Sequence, residues 1–287
     1  MVMQLNYPQH DFAEVLDQCE AGITGNANLL QRLRTCRGDL EKGHLQYVNA
    51  ASTGELYKIK ALDTTHDKDP TVLNDIKKSE LIKIYDQYFV AENKPARKIY
   101  EALLNAAKEK CPFCGGIGTP RNLDHFLPKA HFPQFSVLPH NLVPSCRDCN
   151  MDAKGHSFAA AANEQIIQPY VDKLSFFTEQ WIFAKYHAFN FKDVGEFEYF
   201  VICPNTWSVE DKQKAERHFS DFNLARRYGT KAAEHLGTFL RQITSLYGFG
   251  LGTVDVKDSL LQPGIDAAPF ANHWQRGMYQ ALWNALK

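Results

Sequence analysis

The chain has 287 residues, and 32 Lys and Arg against 33 Asp and Glu leave a formal net charge of −1. With 44% hydrophobic and 23% charged residues it is a globular chain long enough to bury a core in one large or two modest domains. Near-neutral charge excludes a dedicated nucleic-acid-coating protein, and no run of about 18 apolar residues is present to cross a membrane.

The stretch MVMQLNYPQHDF has neither a basic nor an apolar run, so no signal peptide is expected and the expected location is cytoplasmic. DFAEVLDQCEAG and NANLLQRLRTC carry apolar residues at helical spacing, and TVLNDIKKSELIKIYDQYFV continues that pattern as a third predicted helix. Between the second and third, STGELYKIKALDTTHDKDP is polar and reads as loop. PARKIYEALLNAAKEK opens on proline and lines up Ile99, Leu103, Ala106 and Ala107, a predicted helix running into CPFCGG.

Residues 111–154 follow, with four of the seven cysteines in two C-x-x-C pairs, Cys111/Cys114 and Cys146/Cys149, 31 residues apart. In a reducing compartment such pairs are metal ligands, and four thiolates at tetrahedral corners make a closed structural zinc site. The glycines after Cys114 allow the close backbone approach that such a knuckle needs. Zinc would pin the ends of the intervening loop and contribute its binding free energy to folding. The remaining cysteines, at 19, 36 and 203, read as small buried hydrophobes. Beyond the pairs, EQWIFAKYHAFNF and EFEYFVICP predict a β-hairpin turning at KDVG. Ser208 starts a helix over VEDKQKAERHFSDFNLARRYG, TKAAEHLGTFLRQITSLYG is a second, and HWQRGMYQALWNALK closes the chain with Trp274, Met278, Leu282 and Leu286 on one face.

Between the pairs stand Asp124-His125, walled by Phe126, Leu127 and Pro128, then Asn141; Asn150 and Lys154 follow the last cysteine. In this order CPFC, LDHFLP, NLVPSCRDCN and Lys154 resemble the HNH (ββα-metal) endonucleases, in the subtype stapled by C-x-x-C pairs. The resemblance implies an α+β, mainly helical fold with a central zinc-bound ββα-metal core, flanked by N- and C-terminal helical regions and a β-hairpin. It divides the chain into a helical region 1–94, a nuclease core 95–170 and a hairpin-plus-helix region 171–287.

Carried over, the resemblance makes Asp124 a ligand of a catalytic Mg²⁺ or Mn²⁺ and His125 the general base. Asn141 would hold the loop and orient His125, Asn150 would give the ion a second protein oxygen, and Lys154 would sit near phosphate. The chemistry suits phosphodiester hydrolysis, which needs a base with pKa near neutrality and a hard cation on the developing charge. Adjacent strand residues point to opposite faces, so Asp124 and His125 can share a site only where a bulge or the strand end turns them together. The familiar form of the motif ends in histidine where Asn150 stands, leaving His156 as the alternative ligand; His131 and His140 read as loop or phosphate-facing residues.

The flanks, PARKIYEALLNAAKEK and IIQPYVD, are similar to the PtuB-like (Septu) anti-phage branch, in which the nuclease works with an ATPase. The implied substrate is nucleic acid, DNA ahead of RNA, and the implied partner an ATPase that supplies the grip a near-neutral chain lacks. The helical arms beyond residue 205 are then a docking surface, or else they complete a single fold. The alternative to a nuclease is a non-catalytic zinc knuckle that binds nucleic acid or protein.

Overall fold

The computed structural model describes residues 3–155, 157–188 and 195–286. The fold is α+β, about 53% helical, with small two-stranded antiparallel sheets. Among the described residues no helix is long and apolar enough to cross a membrane.

Two capped helices begin the chain. Asp11 accepts from the Glu14 amide (2.7 Å) to start α1, Phe12–Gly22, and Asn26 accepts from Leu29 (3.1 Å) to start α2, Ala27–Ser52. The buried stripe Leu29, Leu33, Cys36, Leu40 and Tyr47 of α2 packs on Leu16 and Cys19 of α1, so two of the lone cysteines are core residues. The expected third helix begins instead as a hairpin, β1 (Thr71–Leu73) and β2 (Ile76–Lys77), before α3 (Lys78–Lys83). The reason is local: Asn74 adopts φ +47°, which a short polar side chain tolerates and which a helix excludes. From α3 the chain continues as a π-helical turn, Ile84–Phe89, that buries Ile84, Tyr85, Tyr88 and Phe89.

Helix α4 spans Arg97–Asn105, five residues shorter than PARKIYEALLNAAKEK suggests at its C-terminal end. Lys108 and Glu109 have positive φ, +46° and +60°, and turn the chain into the first cysteine pair. Strands β3 (Asn122–His125) and β4 (Leu142–Ser145) pair antiparallel, with Asp124 opposite Val143 and His125 opposite Leu142. A π-helical segment, Asp148–Lys154, follows β4 and stops at Gly155, whose φ is +52°.

After a short α5 (Ser175–Thr178), β5 (Ile182–His187) and β6 (Glu196–Val201) form the expected hairpin; residues 189–194 of its turn lie outside the described residues. Ser208 caps α6, Val209–Asp221, by accepting from the Asp211 amide at 3.2 Å. The predicted break after RRYG lies earlier, at Asn223 (φ +49°), and α7 runs unbroken over Leu224–Gly248. Gly229 is therefore not a stop but a contact point: a Cβ there would lie 2.9 Å from the Phe197 carbonyl, so its absence lets α7 lie close on β6. Short α8 (Thr253–Val256) and α9 (Gln262–Asp266) lead to α10, Trp274–Ala285, which buries Trp274, Met278 and Leu282 against the hairpin.

One hydrophobic core runs from Leu5 to Leu282 and draws on most of these elements, while α8 and α9 give it no residue. Its junction with the cysteine segment is Phe113, stacked on Phe222 (5.0 Å between centroids), with the Phe113 carbonyl accepting from His218 Nε2 at 2.8 Å. Helices α6 and α7 thus complete the fold around residues 111–154.

Candidate functional site

The four cysteines converge. The Sγ atoms of Cys111, Cys114, Cys146 and Cys149 all lie within 4.8 Å of one another in buried positions, and the Cys114–Cys146 separation is 3.9 Å. Four sulfurs at about 2.3 Å from one tetrahedral ion stand roughly 3.8 Å apart, so the donor set fits zinc in both chemistry and spacing. The turn that aims them depends on its glycines. Gly116 has φ +85°, the Gly118 amide donates to Cys114 Sγ (3.4 Å), and a Cβ at Gly118 would meet Cys146 Sγ at 2.5 Å.

A cation from far along the chain joins the cluster. The Arg227 guanidinium, from the first turn of α7, donates to Cys149 Sγ (3.2 Å) and reaches Cys146 Sγ (3.9 Å). Four thiolates around Zn²⁺ carry a net charge of −2, and a half-buried guanidinium beside them offsets part of it. Nothing near the C-x-x-C pairs signals this residue, which lies 78 positions from Cys149.

Beside the knuckle, Asp124, His125 and Asn150 line one cleft of about 370 Å³, together with Tyr85, Asp86 and Lys129. Two consecutive residues face it because β3 ends at His125 and Asn141 bends the chain there. Fully buried, Asn141 accepts the Phe126 amide on its backbone carbonyl and the Leu127 amide on Oδ1, both at 2.7 Å. Its Nδ2 donates to the Leu127 and Phe135 carbonyls at 3.0 and 3.1 Å. The loop so fastened presents the Ser136 carbonyl to His125 Nε2 at 2.8 Å. A carbonyl only accepts, so Nε2 carries the proton and Nδ1 keeps its lone pair. Burial pushes the His125 pKa down to about 3, with the Lys129 and Lys154 charges adding to the depression, so the ring is neutral at physiological pH. The edge of that ring packs against Tyr85 at 4.4 Å.

Lys154, expected near phosphate, reaches back to the end of β3. It is buried, with Nζ 2.6 Å from the His125 carbonyl and 3.1 and 3.4 Å from the two Asp124 oxygens. Strapped to both residues from behind, it braces the strand end instead of facing the cleft. Asn150 is partly buried at the cleft edge, in the π-helical segment. A carboxylate and an amide oxygen suit a hard ion such as Mg²⁺; the neutral imidazole beside them has the lone pair a base needs, but burial holds its pKa below the near-neutral range expected of one.

The other histidines part company with the cleft. His131 packs near Phe158 (4.9 Å), and His140 stacks on His44 of α2 (5.2 Å) while its carbonyl accepts from Gln168 Nε2 at 2.6 Å. His156 lies outside the described residues. Tyr85 and Asp86 were not singled out by sequence, because IKIYDQYFV reads only as apolar helix.

The chain is 39% identical over 294 aligned positions to protein ea31 of Escherichia phage lambda, an alignment covering 98% of this chain and 97% of that protein. It is 36% identical over 75 positions to Septu protein PtuB of Bacillus thuringiensis, covering 25% of this chain and 28% of PtuB. No family model matches, and no solved structure matches.

Proposed function

The chain belongs to the family of phage lambda protein ea31, and we propose that it is a metal-dependent HNH endonuclease that hydrolyses phosphodiester bonds, DNA ahead of RNA. The observation that carries the reading is the meeting of Asp124, His125 and Asn150 on one cleft, beside the four-cysteine knuckle. A zinc-clamped hairpin and helix would then be the scaffold, and the cleft the reaction centre.

In this reading His125 Nδ1 takes the proton of the attacking water, while the Ser136 carbonyl keeps Nε2 protonated and the ring in place. Asn141 acts through the loop: it fixes Phe135, the neighbour of Ser136, and so positions the imidazole. Asp124 and Asn150 would hold Mg²⁺ or Mn²⁺, which when bound neutralises charge on the phosphate oxygens. Lys154 aligns the Asp124 carboxylate with the His125 backbone. The similarity to Septu protein PtuB over a quarter of the chain supports an anti-phage role, and the partner proposed for it is an ATPase subunit.

One observation favours the second reading, a zinc knuckle that binds without cutting: Asp124 already has an ammonium against it. The two separate experimentally. Wild type and His125→Ala are incubated with plasmid, single-stranded DNA and total RNA in Mg²⁺ or Mn²⁺, with and without the product of any neighbouring ATPase gene. The nuclease reading expects wild-type cleavage and a loss of about 10²–10⁴-fold in the variant, with zinc content and thermal midpoint retained. Equal cleavage by both removes His125 as the base; binding with no cleavage under any ion selects the second reading.

A further inference from the structure

We propose that Lys129 is the phosphate-binding cation of the cleft and that Asp86 is its resident counter-ion, exchanged for a strand phosphate when nucleic acid enters. The inference rests on the nuclease reading and names the residue by which that site takes hold of its substrate.

Two lysines stand close to the cleft residues, and their surroundings assign them different work. Lys154 and Asp124 have side chains only 4% and 7% exposed, so withdrawing that ammonium would strand a buried carboxylate. Lys129 and Asp86 are 28% and 49% exposed and line the cleft with Asp124, His125 and Asn150. A solvent-facing pair of this kind holds its partners weakly and can be exchanged at little cost.

The position of the Lys129 ammonium is nevertheless defined. Its Nζ lies 4.5 Å from the centre of the Tyr85 ring, and the same ring packs against the His125 imidazole. Tyr85 therefore sets one lysine charge next to the base, where a phosphate awaiting attack has to sit. Pro128 precedes Lys129, and its carbonyl accepts the His131 and Phe132 amides, both at 2.9 Å, so the backbone under the lysine is tied down. Asp86 comes from the π-helical turn Ile84–Phe89, whose wider winding puts Tyr85 and Asp86 together on the cleft. An arriving phosphodiester replaces one anion by another at the same ammonium and meets the repulsion of Asp86 until it does so.

The test uses the full chain carrying His125→Ala, so that substrate is bound and not consumed. Fluorescence anisotropy follows a labelled single strand and its duplex over a range of KCl concentrations. Lys129→Met should weaken binding about 3- to 10-fold and reduce the slope of log K against log[salt] by about one contact; Lys129→Arg should retain both. Asp86→Asn should tighten binding severalfold. An unchanged affinity and slope in Lys129→Met, or weaker binding in Asp86→Asn, overturns the proposal while cleavage by the unaltered protein still upholds the nuclease. Failure of the His125→Ala parent to bind either strand, with no cleavage by the unaltered protein, overturns both.

Discussion

At the scale of single residues, the cleft is organised by polar groups that are buried because each has a partner. Asn141 makes five hydrogen bonds and is fully buried, which is why its loop can carry the Ser136 carbonyl to a fixed place under His125. Lys154 follows the same logic with charge. Truncation to Ala leaves the buried Asp124 carboxyl without its cation, and the chain should lose about 3–5 kcal/mol in urea unfolding. Pairing Lys154→Met with Asp124→Asn removes both charges and should restore most of that loss. If the double variant is no more stable than Lys154→Ala, the pair is not the source of the effect.

Among the elements, the decisive joint is between the cysteine knuckle and α7. Arg227 gives its guanidinium to the sulfurs of Cys146 and Cys149, and Tyr228 donates from its hydroxyl to the Cys114 carbonyl at 3.4 Å. Arg227→Met keeps most of the side-chain volume and removes the charge beside the thiolates. Zinc affinity, read by competition with a chromophoric chelator, should fall about 10- to 100-fold, as for other groups that support metal ligands from behind. Unchanged zinc affinity would mean that the guanidinium only packs there. The short hairpin β3/β4 is covered by α4, since two strands alone are marginal in water and need a covered face.

For the whole molecule, buried neutral histidines tie the layers together and set the response to acid. Burial pushes the pKa of His218 down to about 3, and those of His140 and His273 down to about 4. His218 bridges α6 to Phe113 and accepts from the Ile167 amide at 3.4 Å. Above pH ~6.5 these rings are neutral folded or unfolded, and they contribute no pH dependence. As pH falls below that value the unfolded chain takes up protons that the folded chain refuses, so stability present at neutrality is lost toward pH 4. For a ring kept fully neutral the loss is on the order of 2 kcal/mol at pH 5. Urea midpoints at pH 7.5 and 5.0, with zinc saturating, should show this drop, and His218→Gln should lessen the difference. A midpoint indifferent to pH would contradict the buried neutral state.

Local patterns were sufficient for much of this. The helical stripe of α2, the Ser208 cap, the hairpin β5/β6 and the convergence of two C-x-x-C turns each depend on residues within a few positions of one another, where side-chain spacing dictates geometry. They failed where backbone conformation at one residue outweighed the pattern, as at Asn74, which turns a predicted helix into a hairpin, and at Asn223, which moves a helix boundary away from Gly229. Periodicity sees a glycine as a break; only the Phe197 carbonyl, 2.9 Å from where its Cβ would stand, makes it a contact. Asp124, His125 and Asn150 stood out as candidates in the sequence because metal and base chemistry admit few side chains, and the structure places them on one cleft. Their surroundings did not stand out. That Lys154 braces Asp124, that Arg227 faces the sulfurs, and that Tyr85, Asp86 and Lys129 share a cleft with His125 are outcomes of packing between segments about 30 to 80 positions apart, where burial decides which charge can reach solvent.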